Sequence, residues 1–383
     1  MLTHTPVFYN EEMDAWNVFR YADVRRVLLD NEDFSSQVPF NGAPLPLDTS
    51  LIALDPPRHD HLRKLVSGLF PPSISNRHEQ RIATLVNELL DRVIEQGKLD
   101  VIDDLAKPLP IMVMSELLGI PPADRAHIAR WSAQLSCAAE PDGSNPQAEM
   151  SACFTDLFNQ RRLLLQDPAQ YDLLITQARQ EGRRGPHNDL ISKLLQADHI
   201  EDQPLSITEM LGFCILLLTA GTITVTHLIG NAFLCFSERY TTLRTLSAHP
   251  DLIPDAIEEV LRYRSPVQSM FRVAVKDTEI DGHKIEKHQL IVAYIGAANR
   301  DPAVFPDPDT FIIGRKGRRH IAFGYGPHYC LGATLAREQA RIALTIMLAR
   351  LPNIKYIPGS SPQPLNPASF LHGVEHLPIS FGR

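Results

Sequence analysis

The glycine-rich segment AFGYGPHYCLG, at 322–332, surrounds a single cysteine and constrains this chain more than any other stretch. Glycine costs conformational entropy and is used where the backbone turns sharply, adopts positive φ or approaches another group closely. A helical pattern starts at Cys330, so unpaired N–H groups and the positive end of a helix dipole surround its sulfur. These groups stabilise a thiolate, which is a nucleophile or a metal ligand. The segment therefore predicts a loop pressed against a large group.

Composition narrows the class of protein. A chain of 383 residues with 44% hydrophobic content can bury the large core of a soluble globular protein. The net charge of −8 argues against nucleic-acid binding, which usually needs a basic face. No secretory signal opens the chain, and the longest apolar run, at 211–221, is too short to span a bilayer. We expect a cytoplasmic protein with neither a nucleic-acid nor a membrane partner.

The four remaining cysteines carry no motif. Cys137, Cys153, Cys214 and Cys235 show neither a disulfide framework nor the Cys/His spacing of a zinc site. They are expected to be small buried hydrophobic residues.

Periodicity predicts one domain over residues 1–383, mainly α with a smaller β region (α+β). The helical bulk is expected at 58–265 and 330–351, with a shorter helix at 21–34. Alternating residues predict β structure near 6–20, 271–296 and 369–382, the first and last as hairpins, and Asp281-Gly282 as a turn.

The segment FGYGPHYCLG resembles the cysteine-ligand loop of the cytochrome P-450 family, Phe-Gly-x-Gly-x-(His or Arg)-x-Cys-x-Gly. Each fixed position is met, by Phe323, Gly324, Gly326, His328, Cys330 and Gly332. An isolated cysteine at a helix start would favour a buried structural residue, but this motif reverses that preference. The resemblance implies the cytochrome P-450 fold, with haem b between a long distal helix and the cysteine loop with its proximal helix. It makes Cys330 the ligand of the haem iron.

A second matching segment is AIEEVLRYRSP, which supplies the family's Glu-x-x-Arg as Glu259 and Arg262. Alone, this spacing usually marks a solvated surface pair. Here it is followed by Arg272 and by the stretch ANRDPAVFPDPDTF. The resemblance implies that the pair fixes the irregular stretch before the cysteine loop, with Arg315 as a third member.

Basic residues for the haem propionates are also implied by the resemblance. In LDPPRHDHLRKLV, His59 and Arg63 are four residues apart and can point the same way on a helix. Arginine offers the forked donors that a carboxylate needs. The same carry-over assigns Arg272 and His328 to the propionates. Further cofactor contacts are expected at Ala220, Thr224, His320, Phe323, Gly324, Gly326, Gly332 and Ala336.

The distal helix departs from the family pattern Ala-Gly-x-(Asp or Glu)-Thr. This chain reads Ala220-Gly221-Thr222-Ile223-Thr224, so the small pair and the threonine remain while the acid is lost. The resemblance makes Ala220 and Gly221 the spacers of the oxygen site and Thr224 the proton-relay residue. Because isoleucine cannot donate a proton, the proton route must use other groups. These are ordered water, a polar substrate group, or the side chains of Thr222, Thr224, Thr226 and His227.

The function implied is a monooxygenase that hydroxylates or epoxidises an apolar small molecule with O2. A terpenoid, steroid, fatty acyl or macrolide-like substrate suits the apolar pocket that the resemblance maps onto the chain. The pocket residues are Leu45, Leu47, Ile52, Leu216, Thr219, Val267, Gln268, Met270, Phe370 and Leu371. We expect a monomer.

Electrons are expected from a separate ferredoxin or flavodoxin with its reductase. The basic run GRKGRRH at 314–320 would attract such an acidic partner, or is simply a solvated surface. Two alternatives remain open because Ile223 replaces the acid. One is a peroxide-dependent haem-thiolate enzyme, and the other is a non-catalytic haem sensor or scaffold.

Overall fold

The structure, a computed structural model, describes residues 4–38, 46–68, 74–135, 144–167, 173, 176, 189–197, 205–317, 319–357, 359–365 and 370–382. The predicted pocket residue Leu45, the cysteine Cys137 and the basic residue Arg318 lie outside these ranges. The chain divides into two compact units. The first comprises Met1–Pro39, Pro72–Leu109 and Thr224–Arg383, and the second Phe40–Pro71 and Pro110–Ile223. The single domain expected over 1–383 stays a prediction.

All described strands belong to the first unit. They are β1 Val7–Asn10, β2 Ala15–Val18, β3 Phe34–Ser35, β4 Lys98–Asp100, β5 Met270–Ala274, β6 Thr278–Ile280, β7 His283–Ile285, β8 Leu290–Ala293, β9 Lys355–Tyr356, β10 Gln363–Pro364, β11 Val374–His376 and β12 Pro378–Ser380. A five-stranded sheet has the order β1-β2-β8-β5-β3, and a three-stranded sheet the order β4-β12-β9. One face of the larger sheet packs into an apolar cluster that includes Val18, Val24, Ile291 and Phe305.

Helices make up most of the described chain, so the expected fold class is confirmed. They are α1 Tyr21–Leu29, α2 Arg58–Ser67, α3 Ile74–Asp91, α4 Pro108–Leu118, α5 Arg125–Leu135, α6 Pro146–Gln166, α7 Leu190–Ala197, α8 Ile207–Ser237, α9 Tyr240–Ala248, α10 Ile253–Tyr263, α11 Ile295–Ala298 and α12 Ala333–Arg350. In the first unit α12 packs against α3 and α10. Ion pairs Arg341–Glu79 and Arg350–Asp91 join α12 to α3 along their exposed edges.

The long helix α8 is 31 residues long, with a mean hydropathy of 1.8 in its most apolar window. Its length and composition alone would allow it to cross a membrane, whereas the apolar run at 211–221 by itself is too short to do so. However, 61% of that window is buried inside the protein, which is the behaviour of a core helix. Protein contacts therefore already cover most of its apolar surface.

Several local expectations are resolved by pairing. The hairpin at 6–20 is confirmed as β1 and β2, and the Asp281-Gly282 turn joins β6 to β7 with both residues at positive φ. Helix α1 ends at Leu29 instead of reaching residue 34, because Phe34 and Ser35 pair with β5. The hairpin expected at 369–382 is wrong. Strand β11 pairs with β10, while β12 pairs with β4 and β9.

One buried and one half-buried histidine predict acid sensitivity of the first unit. Burial lowers the pKa of His227 to about 4, with a further contribution from His372. Burial and two nearby arginines lower the pKa of His372 to about 4 as well. Both side chains are neutral in the folded state, and the unfolded chain takes up protons from about pH 6.5 downward. Above that pH these two histidines do not lower the free energy of unfolding. As the pH falls from there towards 4, protonation of the unfolded chain lowers the free energy of unfolding.

We therefore expect the urea midpoint of unfolding to fall between pH 7 and pH 5. In the variant His372→Gln this fall should be smaller, because one neutral histidine no longer has to be protonated. His249→Gln, which changes an exposed histidine on the same unit, is the matched control. Equal pH dependence in all three proteins would contradict the prediction.

Candidate functional site

The cysteine loop is shaped by two glycines and one backbone hydrogen bond. Gly324 and Gly326 have φ of 75° and 73°, in the left-handed region that other residues rarely adopt. The N–H of Cys330 donates to the carbonyl oxygen of Phe323 at 2.9 Å, which closes the loop. Gly326 also lies so close to α1 that a Cβ would stand 3.1 Å from backbone atoms of Leu28 and Leu29. Backbone conformation favours glycine at both positions, and close packing favours it at Gly326 as well.

Cys330 itself precedes the helix instead of opening it. Helix α12 begins at Ala333 with Gly332 as its N-terminal capping residue. A Cβ at Gly332 would meet no atom within 4 Å, so the loop has open space on that side. Ala336 lies one turn into the helix, where its N–H donates to the carbonyl of Gly332. The sulfur is therefore carried by a tightly folded loop beside open space.

The described cysteines differ in their ability to form a thiolate. Burial raises the pKa of Cys214 far above its usual range and that of Cys235 to about 12. Cys153 and Cys330 are half-buried, and burial also raises the pKa of Cys153. Cys330 alone among these four lies in a glycine loop before a helix. A cysteine on a half-buried loop fits the requirement of haem iron for an axial sulfur ligand.

The stretch that leads to this loop is held by a buried carboxylate. Glu259 and Arg262 on α10 form a two-pronged ion pair, with both contacts at 2.8 Å and both side chains 2% exposed. Arg262 donates to the carbonyls of Asn299, Pro308 and Thr310.

Glu259 also holds the chain directly. It accepts a hydrogen bond from the N–H of Ile312 at 2.9 Å and contacts Arg315 Nε at 3.1 Å. Arg315 donates in turn to the carbonyls of Pro306, Asp307 and Thr310. Guanidinium groups thus replace the backbone partners that an irregular segment lacks.

A second cluster, which the sequence analysis missed, lies beside the loop. Glu258 receives two hydrogen bonds from Arg337, at 2.6 and 3.0 Å, and one contact from His320 Nε2 at 3.1 Å. The other ring nitrogen of His320 accepts the N–H of Ala322. Both ring nitrogens of His320 have hydrogen-bond partners within the protein, and its contact with the cofactor stays a prediction. Adjacent acidic residues in AIEEVLR were the available signal for Glu258.

The middle of α8 presents two faces of different burial. Ala220 is exposed, and Leu216, Thr219, Ile223 and Thr224 are half-buried. Their spacing of three, four, seven and eight residues puts them on one face of the helix. Ile223 therefore shares a face with Ala220 and Thr224, where the family pattern has its acid.

Three of the proposed proton donors are more deeply buried than Thr224. Thr222 is buried, and its hydroxyl donates to the carbonyl of Leu218 at 2.8 Å. Thr226 and His227 are buried as well, and His227 packs against Gly373 so closely that a Cβ there would overlap the ring. Of these four side chains, Thr224 is the one that is half-buried.

Gly221 has a packing function that the sequence analysis did not anticipate. A Cβ at this position would stand 2.9 Å from the sulfur of Met114 on α4. The glycine therefore allows α4 and α8 to approach within the second unit. Its assignment as a spacer for oxygen stays a prediction.

The basic residues assigned to the propionates are placed as follows. His59 and Arg63 lie on α2, the first fully buried and the second half-buried, and His59 Nδ1 is 3.0 Å from Asp60 Oδ1. Arg272 is buried on β5, and one of its nitrogens donates to the carbonyl of Phe271. His328 Nε2 lies 2.9 Å from the hydroxyl of Ser36.

The predicted pocket residues fall into two groups. In the first unit, the N–H of Gln268 donates to the carbonyl of Phe370 at 2.8 Å, and Val267 pairs with Leu371. Met270 follows as the first residue of β5. Backbone pairing therefore brings residues about a hundred positions apart into one wall.

In the second unit, Leu47 and Ile52 lie on two short 3-10 turns, Pro46–Thr49 and Leu51–Ala53. The hydroxyl of Thr49 lies 3.3 Å from the carbonyl of Thr208 at the start of α8. Gly212 is packed against the carbonyl of Pro46, with no room for a Cβ. These turns therefore lie against the same helix that carries Leu216 and Thr219.

One other group of side chains has the composition of a metal site. Ligand atoms of Asp100, Asp103 and His376 lie within 4.8 Å of one another. Asp100, however, accepts the N–H groups of Ile102, Asp103 and Leu377, so its carboxylate caps a turn and ties it to the C-terminal strands. Hydrogen bonding explains this cluster.

Comparisons with known proteins agree with this geometry. The family model described as cytochrome P450 matches residues 4–247 and 238–378. The chain is 37% identical to putative cytochrome P450 YjiB of Bacillus subtilis over 357 residues, covering 93% of this chain and 87% of that protein. It is 35% identical to cyclomarin C epoxidase CymV of Salinispora arenicola over 363 residues, covering 93% and 88%.

A solved structure is similar over nearly the whole length. CYP109E1 from Bacillus megaterium, in complex with testosterone, has a TM-score of 0.83 and 36% identity, covering 99% of this chain and 95% of that one. With the cysteine loop and the buried glutamate–arginine pair in place, these matches show that the chain belongs to the cytochrome P450 family, whose members are haem b monooxygenases.

Proposed function

We propose that this protein hydroxylates or epoxidises an apolar small molecule, with Cys330 as the axial ligand of haem b. The observation that carries the proposal is the loop of Gly324, Gly326 and Cys330, closed by the hydrogen bond to Phe323 and followed by α12. When bound, haem b with a thiolate ligand supplies the activation of O2. The protein's residues hold that group, admit the substrate and deliver protons.

The contribution of the chain to binding is twofold. Arg63, Arg272, His59 and His328 are the proposed donors to the propionates, because forked or ring N–H groups suit carboxylates. Phe323, Gly324, Gly326, Gly332 and Ala336 are proposed to contact the macrocycle from the loop side, and Ala220 and Thr224 from the helix side. The open space beside Gly332 supports this assignment.

The substrate class follows from the chemistry of the wall residues. Val267, Met270, Phe370 and Leu371 are apolar, and Gln268 is neutral, so none of these five side chains offers a charge to a carboxylate or an amine. We infer a terpenoid, steroid, fatty acyl or macrolide-like substrate. The name of the epoxidase CymV and the testosterone bound to CYP109E1 support both the reaction and the class. We further propose that the protein is a cytoplasmic monomer.

The ligand assignment predicts the effect of removing one sulfur. Cys330→Ser should abolish the thiolate-type absorption spectrum of the reduced carbonyl complex, because a neutral hydroxyl does not replace a thiolate. Cys153→Ser, which changes the other half-buried described cysteine, is the matched control and should keep that spectrum. A thiolate-type spectrum in the Cys330→Ser protein would refute the assignment.

Thr224 is the proposed relay of protons, because it alone of the threonines at 222, 224 and 226 is half-buried on the face of Ala220. We expect Thr224→Val to lower the product formed per NAD(P)H severalfold and to raise the release of peroxide. Testosterone is the probe substrate. Thr222→Val should leave the ratio unchanged, since that hydroxyl already donates within the helix. Ile223→Glu should raise the ratio by restoring an acid to the same face.

Two outcomes would change the reading of this experiment. The same ratio in all four proteins would mean that protons arrive by another route. Full turnover with hydrogen peroxide and without an electron donor would favour the peroxide-dependent alternative that the loss of the acid at position 223 left open. Substrate turnover of any kind excludes the sensor or scaffold alternative.

An acidic ferredoxin or flavodoxin, with its reductase, is the proposed electron donor. The basic run at 314–320 contributes less than its sequence suggests, because Arg315 is held by Glu259 and backbone carbonyls. Lys316 and Arg319 are exposed and form the basic surface that remains in the described part of the run.

This basic surface predicts that the rate at which an acidic partner reduces the protein depends on ionic strength. The rate of reduction by an acidic ferredoxin should fall severalfold between low and high ionic strength, as screening weakens attraction between exposed charges. Reversing both charges, with Lys316→Glu and Arg319→Glu, should lower the rate at low salt. Lys284→Glu, an exposed change on β7, is the control. Rates insensitive to salt and to both reversals would remove this surface from the proposal.

A further inference from the structure

One cation lies against the cysteine loop. Arg337 projects from α12, and its guanidinium carbon lies 4.4 Å from the centre of the Phe323 ring, in the range of a cation–π interaction. The Phe323 ring also contacts the ring of Tyr329, the residue before Cys330, with ring centres 6.4 Å apart. The carbonyl of Phe323 in turn accepts the N–H of Cys330. Arg337 therefore contacts the residue that closes the loop onto Cys330.

A carboxylate and an imidazole hold this cation in one orientation. Glu258 engages Nε and Nη2 of Arg337 together, a geometry that lysine cannot reproduce. Because His320 accepts the N–H of Ala322 at Nδ1, its Nε2 carries the proton and donates to Glu258. Burial alone would raise the pKa of Glu258, but its bonds with His320 and Arg337 outweigh burial and lower that pKa to about 2.

We propose that Arg337, oriented by Glu258 and His320, is a positioning residue for the Cys330 loop and sets the charge that a haem bound there experiences. The inference rests on the proposed function, because it takes Cys330 as the ligand. It goes beyond that function by assigning a purpose to three residues outside the ligand loop's fixed positions. Groups around a metal ligand adjust its orientation and basicity in this way.

The opposite charges of Arg337 and Glu258 predict that removing each one shifts the reduction potential in opposite directions. Uptake of one electron adds one negative charge to the bound group, and a nearby cation stabilises that state. Arg337→Gln leaves Glu258 as an uncompensated anion, so the reduction potential should become more negative. Glu258→Gln leaves Arg337 as an uncompensated cation, so the potential should become more positive. The double variant should return towards the wild-type value, because the pair is removed as a unit.

The experiment compares these variants with a matched change on the same helix. Arg341 is 30% exposed against 31% for Arg337, and it pairs with Glu338 and Glu79 at a distance from the loop. The potential of each purified holoprotein is measured by dithionite titration with redox dyes. The fraction of reduced carbonyl complex with the thiolate-type spectrum is recorded in parallel, together with the thermal unfolding midpoint.

We expect opposite shifts for Arg337→Gln and Glu258→Gln, no shift for Arg341→Gln, and a smaller thiolate fraction in Arg337→Gln. If Arg337→Gln does not fold, Arg337→Lys carries the test, since it keeps the charge but loses the two-pronged geometry and should reduce the thiolate fraction. Shifts of the same sign for Arg337→Gln and Glu258→Gln, or values within those of Arg341→Gln, would overturn the inference. A wild-type protein without a thiolate-type spectrum would instead refute the proposed function.

Discussion

The conformation of the region before the cysteine loop depends on the hydrogen bonds and ion pairs of the Glu259 carboxylate. This carboxylate is buried, it binds two arginines, and it accepts a backbone N–H from the irregular segment. Burying such a group costs free energy unless every lone pair is matched by a donor. Here the donors come from α10 itself and from the segment at 306–315. The helix and the irregular segment are thereby held together without a ladder of backbone hydrogen bonds.

Removing one member of this network would be costly for a specific reason. A buried ion pair gives little net stability relative to apolar packing, but breaking it leaves an unpaired charge that costs roughly 3–5 kcal/mol. Loss of Glu259 would leave the guanidinium groups of Arg262 and Arg315 without their carboxylate partner, and Arg262 is only 2% exposed. Carbonyls of Asn299, Pro308 and Thr310 would remain as partners, and these are neutral. The position of the loop therefore depends on one carboxylate far from the sulfur in sequence.

Two adjacent glutamates on α10 bind different segments next to the cysteine loop. Glu259 faces the irregular segment, and Glu258 faces Arg337 and His320 on the other side. Consecutive residues of a helix point about 100° apart, so neighbouring carboxylates can serve separate clusters. The distal helix uses the same geometry for a different purpose, since Thr222 is satisfied within α8 while Thr224 lies on the less buried face.

The local pattern of the sequence was sufficient for the β1–β2 and β6–β7 hairpins and for the turns of the glycine-rich loop, whereas the role of the glutamate–arginine pair came from the resemblance to a family. Each of these features depends on residues close together in the chain, where glycine conformation, helical spacing and turn chemistry decide the structure. The sequence could not show that the residues at 369–382 pair with three separate strands, because strand pairing depends on distant partners. Nor could it show that Gly221 packs against Met114, or that His320 contacts Glu258. Those arrangements follow from burial and hydrogen bonding, and only the packed chain decides which polar atoms must find partners within it.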